Sequence, residues 1–242
     1  EKIMKKIIKF ILIKISRLIY YIVPEEFKKS KNNLFEKVND YTRQETYEYF
    51  KDHFKKSVLF RNESAIREYA IQTSLLNDKN KDYYYLEFGV WEGESANYFS
   101  KFVNKFYCFD SFEGLKEDWL GVLDRPARTF NLNKKIPNLN SNIEPVIGWV
   151  EDTLNDFLKK HNPKINFIHF DMDTYSPTKY CLERIKPYLV NNSILIFDEM
   201  YNYAGWQEGE FKALKEVFND NEIEYRAFNL DSYQCVVQIK LI

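Results

Sequence analysis

Cysteine is scarce and carries no pattern: Cys108, Cys181 and Cys235 are widely spaced, odd in number and include no Cys-x-x-Cys pair. That excludes a disulfide-stapled scaffold, a zinc ribbon and a thioredoxin-like redox motif, and it fits a reducing, cytoplasmic setting. An excess of either charge is also missing. With 35 basic against 36 acidic residues the net charge is -1, so no global field recommends nucleic acid as a partner. Long apolar runs are absent at the start of the chain, where the longest uncharged stretch before Lys14 is Phe10-Ile11-Leu12-Ile13. That is too short to span a bilayer, and a secretory signal would need a longer apolar core and a small-residue cleavage site. Glycine is rare as well, with seven in 242 residues, so it is informative that Gly89 and Gly93 share one turn.

What is present divides into three parts. In residues 1–23, Lys2, Lys5, Lys6, Lys9, Ser16 and Arg17 share one helical face, and Met4, Ile7, Ile8, Ile11, Ile15, Leu18 and Ile22 the opposite one. This predicts a basic amphipathic helix stopped at Pro24. Such a helix suits an anionic membrane surface, here the inner face, or packs its apolar stripe on the domain or on a second copy of the chain. Residues 25–80 have helical spacing near 42–56 and 62–76, the latter with Asn62 or Ser64 as N-cap, and by analogy with α/β folds in which helices precede the first strand they are expected to cover the sheet and roof the site. From residue 81 strands and helices alternate. The expected organisation is thus a 1–24 amphipathic helix, a 25–80 helical cap region and an 81–242 α/β domain.

That domain is arranged around Tyr83 to Ser95, an aromatic and aliphatic run ending in Glu87, then Gly89, Gly93 and a helix start at Ser95. Strand, tight turn and helix offer free N–H groups and a positive dipole end to an anionic ligand group. The dinucleotide fingerprint Gly-x-Gly-x-x-Gly is not met, because three residues separate the two glycines. The next apolar run, Lys105 to Phe109, ends at Asp110, which suits either a pair of ribose hydroxyls or a turn cap. Residues 111–145 form a long connection whose aromatic residues favour substrate recognition, and whose Arg125 and Arg128 suit a phosphate, a carboxylate or a solvated surface. Val146 to Leu154 reads as a third strand with its turn, followed by helix 155–160. A fourth strand, 165–170, ends at Asp171 and Asp173; after helix 177–189 a fifth, 193–197, ends at Asp198-Glu199. A helix at 208–219 and strands near 223–229 and 233–241, the last half exposed, complete the pattern. Acids thus recur where strands end, at the edge where open α/β sheets bind ligands.

In this order the stretches Leu86-Glu87-Phe88-Gly89-Val90-Trp91-Glu92-Gly93-Glu94-Ser95, Phe109-Asp110-Ser111-Phe112-Glu113-Gly114-Leu115, Gly148-Trp149-Val150-Glu151-Asp152-Thr153-Leu154 and His169-Phe170-Asp171-Met172-Asp173-Thr174-Tyr175 resemble the macrocin-type O-methyltransferases. This family uses S-adenosylmethionine (SAM) and is related in fold to the catechol O-methyltransferases. The resemblance runs from about 83 to 219, extended by Phe197-Asp198-Glu199-Met200-Tyr201, and leaves the first 80 residues uncovered. It implies a Rossmann-like class I fold: a mostly parallel seven-stranded sheet with helices on both faces and an antiparallel C-terminal strand. It implies SAM bound by the motif residues Glu87, Gly89, Gly93 and Ser95, with Asp110 and Ser111 at the ribose and Val150, Glu151 and Asp152 beside the adenine. It further implies a divalent ion, Mg²⁺ by ligand type, held by Asp171, Asp198 and Glu199. Where catechol-type enzymes carry a lysine base this chain has Thr174, which leaves Asp171, Asp173 or His169 to take the proton, His169 reading better as a buried, hydrogen-bonded strand residue. The expected activity is O-methylation of a sugar in a surface glycan or glycosylated metabolite. The alternatives are a small acceptor such as a catechol, or a binding module for SAM or glycan without turnover.

Overall fold

The computed structural model describes residues 11–15, 33–80 and 82–240. The chain divides into two units, Glu1–Tyr41 and Thr42–Ile242. In the first, residues 11–15 are helical, and the rest of the predicted amphipathic helix lies outside the described residues. Among the described residues no helix is long and apolar enough to cross a membrane.

The second unit is built on an eight-stranded sheet: β1 (Val58–Phe60), β2 (Tyr84–Phe88), β3 (Phe106–Asp110), β4 (Ile143–Ile147), β5 (Ile165–Phe170), β6 (Leu189–Phe197), β7 (Ile223–Asn229) and β8 (Cys235–Ile239). Their order across the sheet is β1-β7-β8-β6-β5-β2-β3-β4, and β8 alone runs against the others. The central strands are largely buried because both of their faces are covered, the condition of a parallel sheet, with Glu87, Asn166 and His169 among the polar residues within them. One face buries α2 (Glu63–Asn77) and α3 (Glu94–Phe99) through Ile66, Ala70, Ile71, Ala96 and Phe99. The other buries α4 (Val150–His161), α5 (Tyr175–Ile185) and α6 (Glu210–Val217) through Leu154, Phe157, Leu182, Ile185 and Leu214. In α1 (Leu34–Phe54) the buried residues Thr42, Thr46 and Phe50 recur every fourth position, one stripe of a helix. Phe50 closes that stripe against Phe228, Tyr201 and Trp206, with ring centres 5.2 to 5.5 Å away.

Several boundaries differ from the sequence reading. The sheet has eight strands rather than seven, because Val58–Phe60 adds an edge strand parallel to β7. Three residues are too few for alternation to register. This strand and α2, which packs on β5, β6 and β7, make residues 58–80 part of the sheet unit rather than of a separate cap. Asn62 does cap α2, its side chain accepting from the Ala65 N–H at 3.0 Å. The third predicted strand begins earlier, at Ile143, and includes Pro145, which the edge position of β4 tolerates. Helix α4 consequently starts at Val150, five residues sooner than predicted. Helix α5 runs from Tyr175 to Ile185, and a 3₁₀ turn at Lys186–Tyr188 leads into a β6 that starts at Leu189.

Candidate functional site

Strand order reverses at β2: its successor β3 lies on one side and β5 on the other. At such a switch point the strand ends open a crevice. Register decides which residues face it. Phe88 is level with Phe109 and Phe170, and Phe170 with Phe197. Their four rings form a row with centres 4.8 to 5.4 Å apart. The residue after each phenylalanine therefore comes to the same edge: Asp110, Gly89, Asp171 and Asp198. Backbone bonds hold three of them there, from the N–H of Gly89 to Phe109, of Asp171 to Phe88 and of Asp198 to Phe170, at 2.8 to 3.0 Å. Above them lies a cleft of about 340 Å³.

Gly89 has φ +86°, and a Cβ at that position would lie 1.7 Å from the Asp171 carbonyl oxygen. The close approach that demands glycine is thus made by β5, and the turn is fixed before any ligand arrives. Gly93, at φ +81°, is the N-cap of α3. That helix has only six residues, so the dipole expected at its start is small. Asp110 clamps the same turn: Oδ2 accepts from the N–H groups of Val90 (2.7 Å) and Trp91 (2.9 Å), and Oδ1 from that of Phe112 (2.7 Å). The turn-capping role is realised, and most of the carboxylate's lone-pair directions are engaged by backbone. Ser95 and Ser111 both line the cleft, with the Ser111 hydroxyl accepting from the Glu113 N–H at 3.1 Å. Glu87 does not reach the cleft. It is fully buried one residue back, its side chain on the opposite face of the sheet from Phe88.

At the far end Val150 and Glu151 line the cleft, whereas Asp152 of the same helical turn is not part of its wall. Glu151 is paired with Lys116 at 2.7 Å, and the Lys116 ammonium sits 4.5 Å over the Trp149 ring. Lys116, Trp119, Arg125 and Phe130 enter from the long connection, and Arg67 from α2. Arg125 and the aromatic residues of the connection were expected at substrate recognition, whereas Lys116 and Arg67 were not singled out. The connection is ordered all the same: Leu115 donates its N–H to Thr129 and accepts that of Arg128, and both Leu132 and Lys134 donate to Phe112.

The acids sort into two environments. On the sheet face turned to α2 and α3, Glu87 is level with His169. His169, fully buried, donates Nδ1–H to Glu87 Oε1 (2.6 Å) and Nε2–H to Asp198 Oδ1 (3.2 Å). Burial works against its charge, but the hydrogen bonds to Asp198 and Glu87 outweigh that and push its pKa up to about 10. Asp198 also accepts from Arg67 at 3.3 Å and from the Gln234 side chain. Desolvation opposes its ionisation, yet His169, Arg67 and Gln234 hold its carboxyl well below the usual range. The reading of His169 as a buried, hydrogen-bonded strand residue agrees with this geometry.

Asp171, Asp173 and Glu199 have no such donors, and one carboxylate oxygen of each lies within 4.8 Å of those of the other two. Desolvation first, then the neighbouring negative charges, raise the pKa of all three, that of Asp173 to about 7. Glu199 Oε2 is buried without any hydrogen-bond partner. Behind it, the buried Glu210 accepts from the Glu199 backbone N–H at 3.1 Å. The donor set Asp171, Asp173 and Glu199 fits a hard divalent cation, three carboxylates whose oxygens accept no hydrogen bond from the protein. The expected set Asp171, Asp198 and Glu199 does not come together in this way, because Asp198 Oδ1 is turned to three protein donors.

Comparison with known proteins adds to this geometry. No curated protein matches the chain by sequence. Residues 86–200 match a family described as a methyltransferase domain. Among solved structures, the calicheamicin methyltransferase CalS11 is similar with a TM-score of 0.60 at 20% identity, over 74% of this chain and 80% of that one. An apo structure of CalS11, described as a TDP-rhamnose 3'-O-methyltransferase, gives 0.50 at 20% identity, over 74% and 81%. The O-methyltransferase NovP gives 0.51 at 17% identity, over 74% and 79%. At such identities the likeness is one of fold, and the fold is the Rossmann-like one that the motifs implied. Residues 86–200 thus match a methyltransferase domain, carried on the Rossmann-like sheet that these O-methyltransferases share.

Proposed function

We propose that this enzyme transfers the SAM methyl group to a hydroxyl of a sugar, in a surface glycan or a glycosylated metabolite. The observation that carries this reading is the convergence of Asp171, Asp173 and Glu199, without protein hydrogen-bond donors, in the cleft that the Gly89–Gly93 turn also lines. The sugar acceptor is favoured by the description of one fold neighbour as a TDP-rhamnose 3'-O-methyltransferase.

Methyl transfer needs an oxygen nucleophile, a fixed line of approach and somewhere for the proton to go. The cleft walls supply the approach, with the motif turn, Ser95 and Ser111 holding SAM and the Trp149–Glu151 end taking its adenine. The carboxylates supply the proton acceptor. Asp173, with a pKa near 7, is matched to removing a hydroxyl proton around neutral pH. As the proton passes to the carboxylate, the acceptor oxygen bonds to the methyl carbon and the sulfur leaves with the C–S electron pair as a neutral thioether. Mg²⁺, if bound by Asp171, Asp173 and Glu199, would lower the pKa of the acceptor hydroxyl.

Incubation of the purified chain with methyl-labelled SAM and cell-surface glycan fractions tests the proposal. Label is expected in a sugar ether with the wild-type chain and not with Asp171→Asn, while both bind S-adenosylhomocysteine. Label transferred to catechols but to no glycan fraction would overturn the sugar acceptor; S-adenosylhomocysteine binding with no transfer to any acceptor would favour a binding module.

A further inference from the structure

The cations of the cleft region are not equivalent. Arg67 is 3.3 Å from Asp198, Lys116 is 2.7 Å from Glu151, and Arg128, beside the cleft, is 3.8 Å from Glu113. Arg125 lines the cleft with no carboxylate of the described residues within 4.0 Å. Its Nη1 meets the carbonyl of Asp124 at 3.2 Å, and its Nε is buried with no partner at all.

This arginine is nevertheless held in place. Its guanidinium lies 5.4 Å over the Phe130 ring, and Phe130 packs edge-on against Trp91 of the motif turn with centres 5.2 Å apart. The backbone around it is tied on both sides, by the Trp119 N–H to the Arg125 carbonyl (2.9 Å) and the Ala127 N–H to Asp118 Oδ1 (2.7 Å). A fixed guanidinium with unused donors, in a cleft whose other cations are neutralised, is arranged to take an oxyanion. Asp171, Asp173 and Glu199 line the same cleft and would repel one, with Arg125 the cation whose charge reaches Asp173. The anion therefore belongs at Arg125 and the reacting hydroxyl at the acids, two ends of one acceptor.

Resting on the methyl-transfer reading above, we propose that Arg125 is a specificity-determining residue that binds an oxyanion of the acceptor, so that the sugar is presented as a phosphosugar or a uronate and not as a neutral glycan. Arg128, paired with Glu113 and largely exposed, has no such part.

The test is calorimetric titration of the full chain, saturated with S-adenosylhomocysteine, with glucose 1-phosphate, inorganic pyrophosphate, glucuronate and glucose. The wild-type chain should bind an anionic probe at least about tenfold more tightly than glucose, the scale of one charge-assisted contact. Arg125→Gln should lose about tenfold or more of that affinity and Arg128→Gln less than about twofold, with S-adenosylhomocysteine affinity unchanged in both. The phosphate probes against glucuronate distinguish the two sources of the anion. Equal binding of glucose and the anions, or an Arg125→Gln variant that binds them like the wild type, would overturn the proposal. So would an Arg125→Gln variant that loses S-adenosylhomocysteine instead, since the arginine would then serve the cosubstrate carboxylate. A wild-type chain that fails to bind S-adenosylhomocysteine sinks the methyl-transfer reading itself, and this proposal with it.

Discussion

Replacing His169 tests the buried network most directly, because its burial and its two carboxylate partners together set the size of the effect. The imidazolium bridges Glu87 and Asp198 at 2.6 and 3.2 Å from a fully buried position. A pKa raised from the ordinary value near 6.5 to about 10 is worth roughly 5 kcal/mol at ~1.36 kcal/mol per pH unit. Breaking a buried ion pair by removing one partner costs about 3–5 kcal/mol by mutational precedent, so the two scales agree. The sign is fixed by linkage. The folded pKa lies above the unfolded one, so the contribution is complete below about pH 6.5 and is lost as pH rises towards 10. Urea denaturation of the wild-type chain and of His169→Gln, followed by circular dichroism at pH 6, 8 and 10, measures it. Glutamine is chosen so that one donor survives and the variant folds. At pH 6 the variant should be less stable by about 3–5 kcal/mol, and the gap should narrow steadily towards pH 10. Subtracting the curves removes the tyrosines and lysines that also titrate in that window. A gap that stays constant from pH 6 to pH 10 would refute a charged His169.

Mg²⁺ titration by calorimetry separates the two acid sets: Asp173→Asn should abolish binding, whereas Asp198→Asn should retain it, and the reverse result would restore Asp198 as a ligand. Gly89→Ala should fail to fold or lose more than about 3 kcal/mol in urea denaturation, since its Cβ would meet the Asp171 carbonyl oxygen at 1.7 Å. Gly93→Val should lose S-adenosylhomocysteine binding by calorimetry, because a β-branched residue is strained at φ +81°. Deleting residues 1–24 should leave that binding intact while reducing sedimentation with anionic vesicles or the mass seen by light scattering; no change in either would leave the segment without the expected role.

The sequence alone determined the alternation of strand and helix, the glycine turn and the acids that close β3, β5 and β6, because each is a local pattern of apolar period, turn chemistry and strand ending. It did not reveal β1, whose three residues are strand only because β7 offers an edge to pair with. Nor could it decide what each acid does. Asp171 and Asp198 each follow an apolar strand and look alike in the sequence, yet Asp198 is neutralised by Arg67 and His169 and hydrogen-bonded by Gln234, residues 131, 29 and 36 positions away. Asp171 lies beside the same His169 but accepts no hydrogen bond from it, and gathers instead with Asp173 and Glu199. Arg125 and Arg128 stand three apart in one loop, and the Glu113 carboxylate that pairs with Arg128 leaves Arg125 to the cleft. The charge state of a group depends on neighbours brought together by register and loop closure, and those distances through space exist only once the sheet has formed.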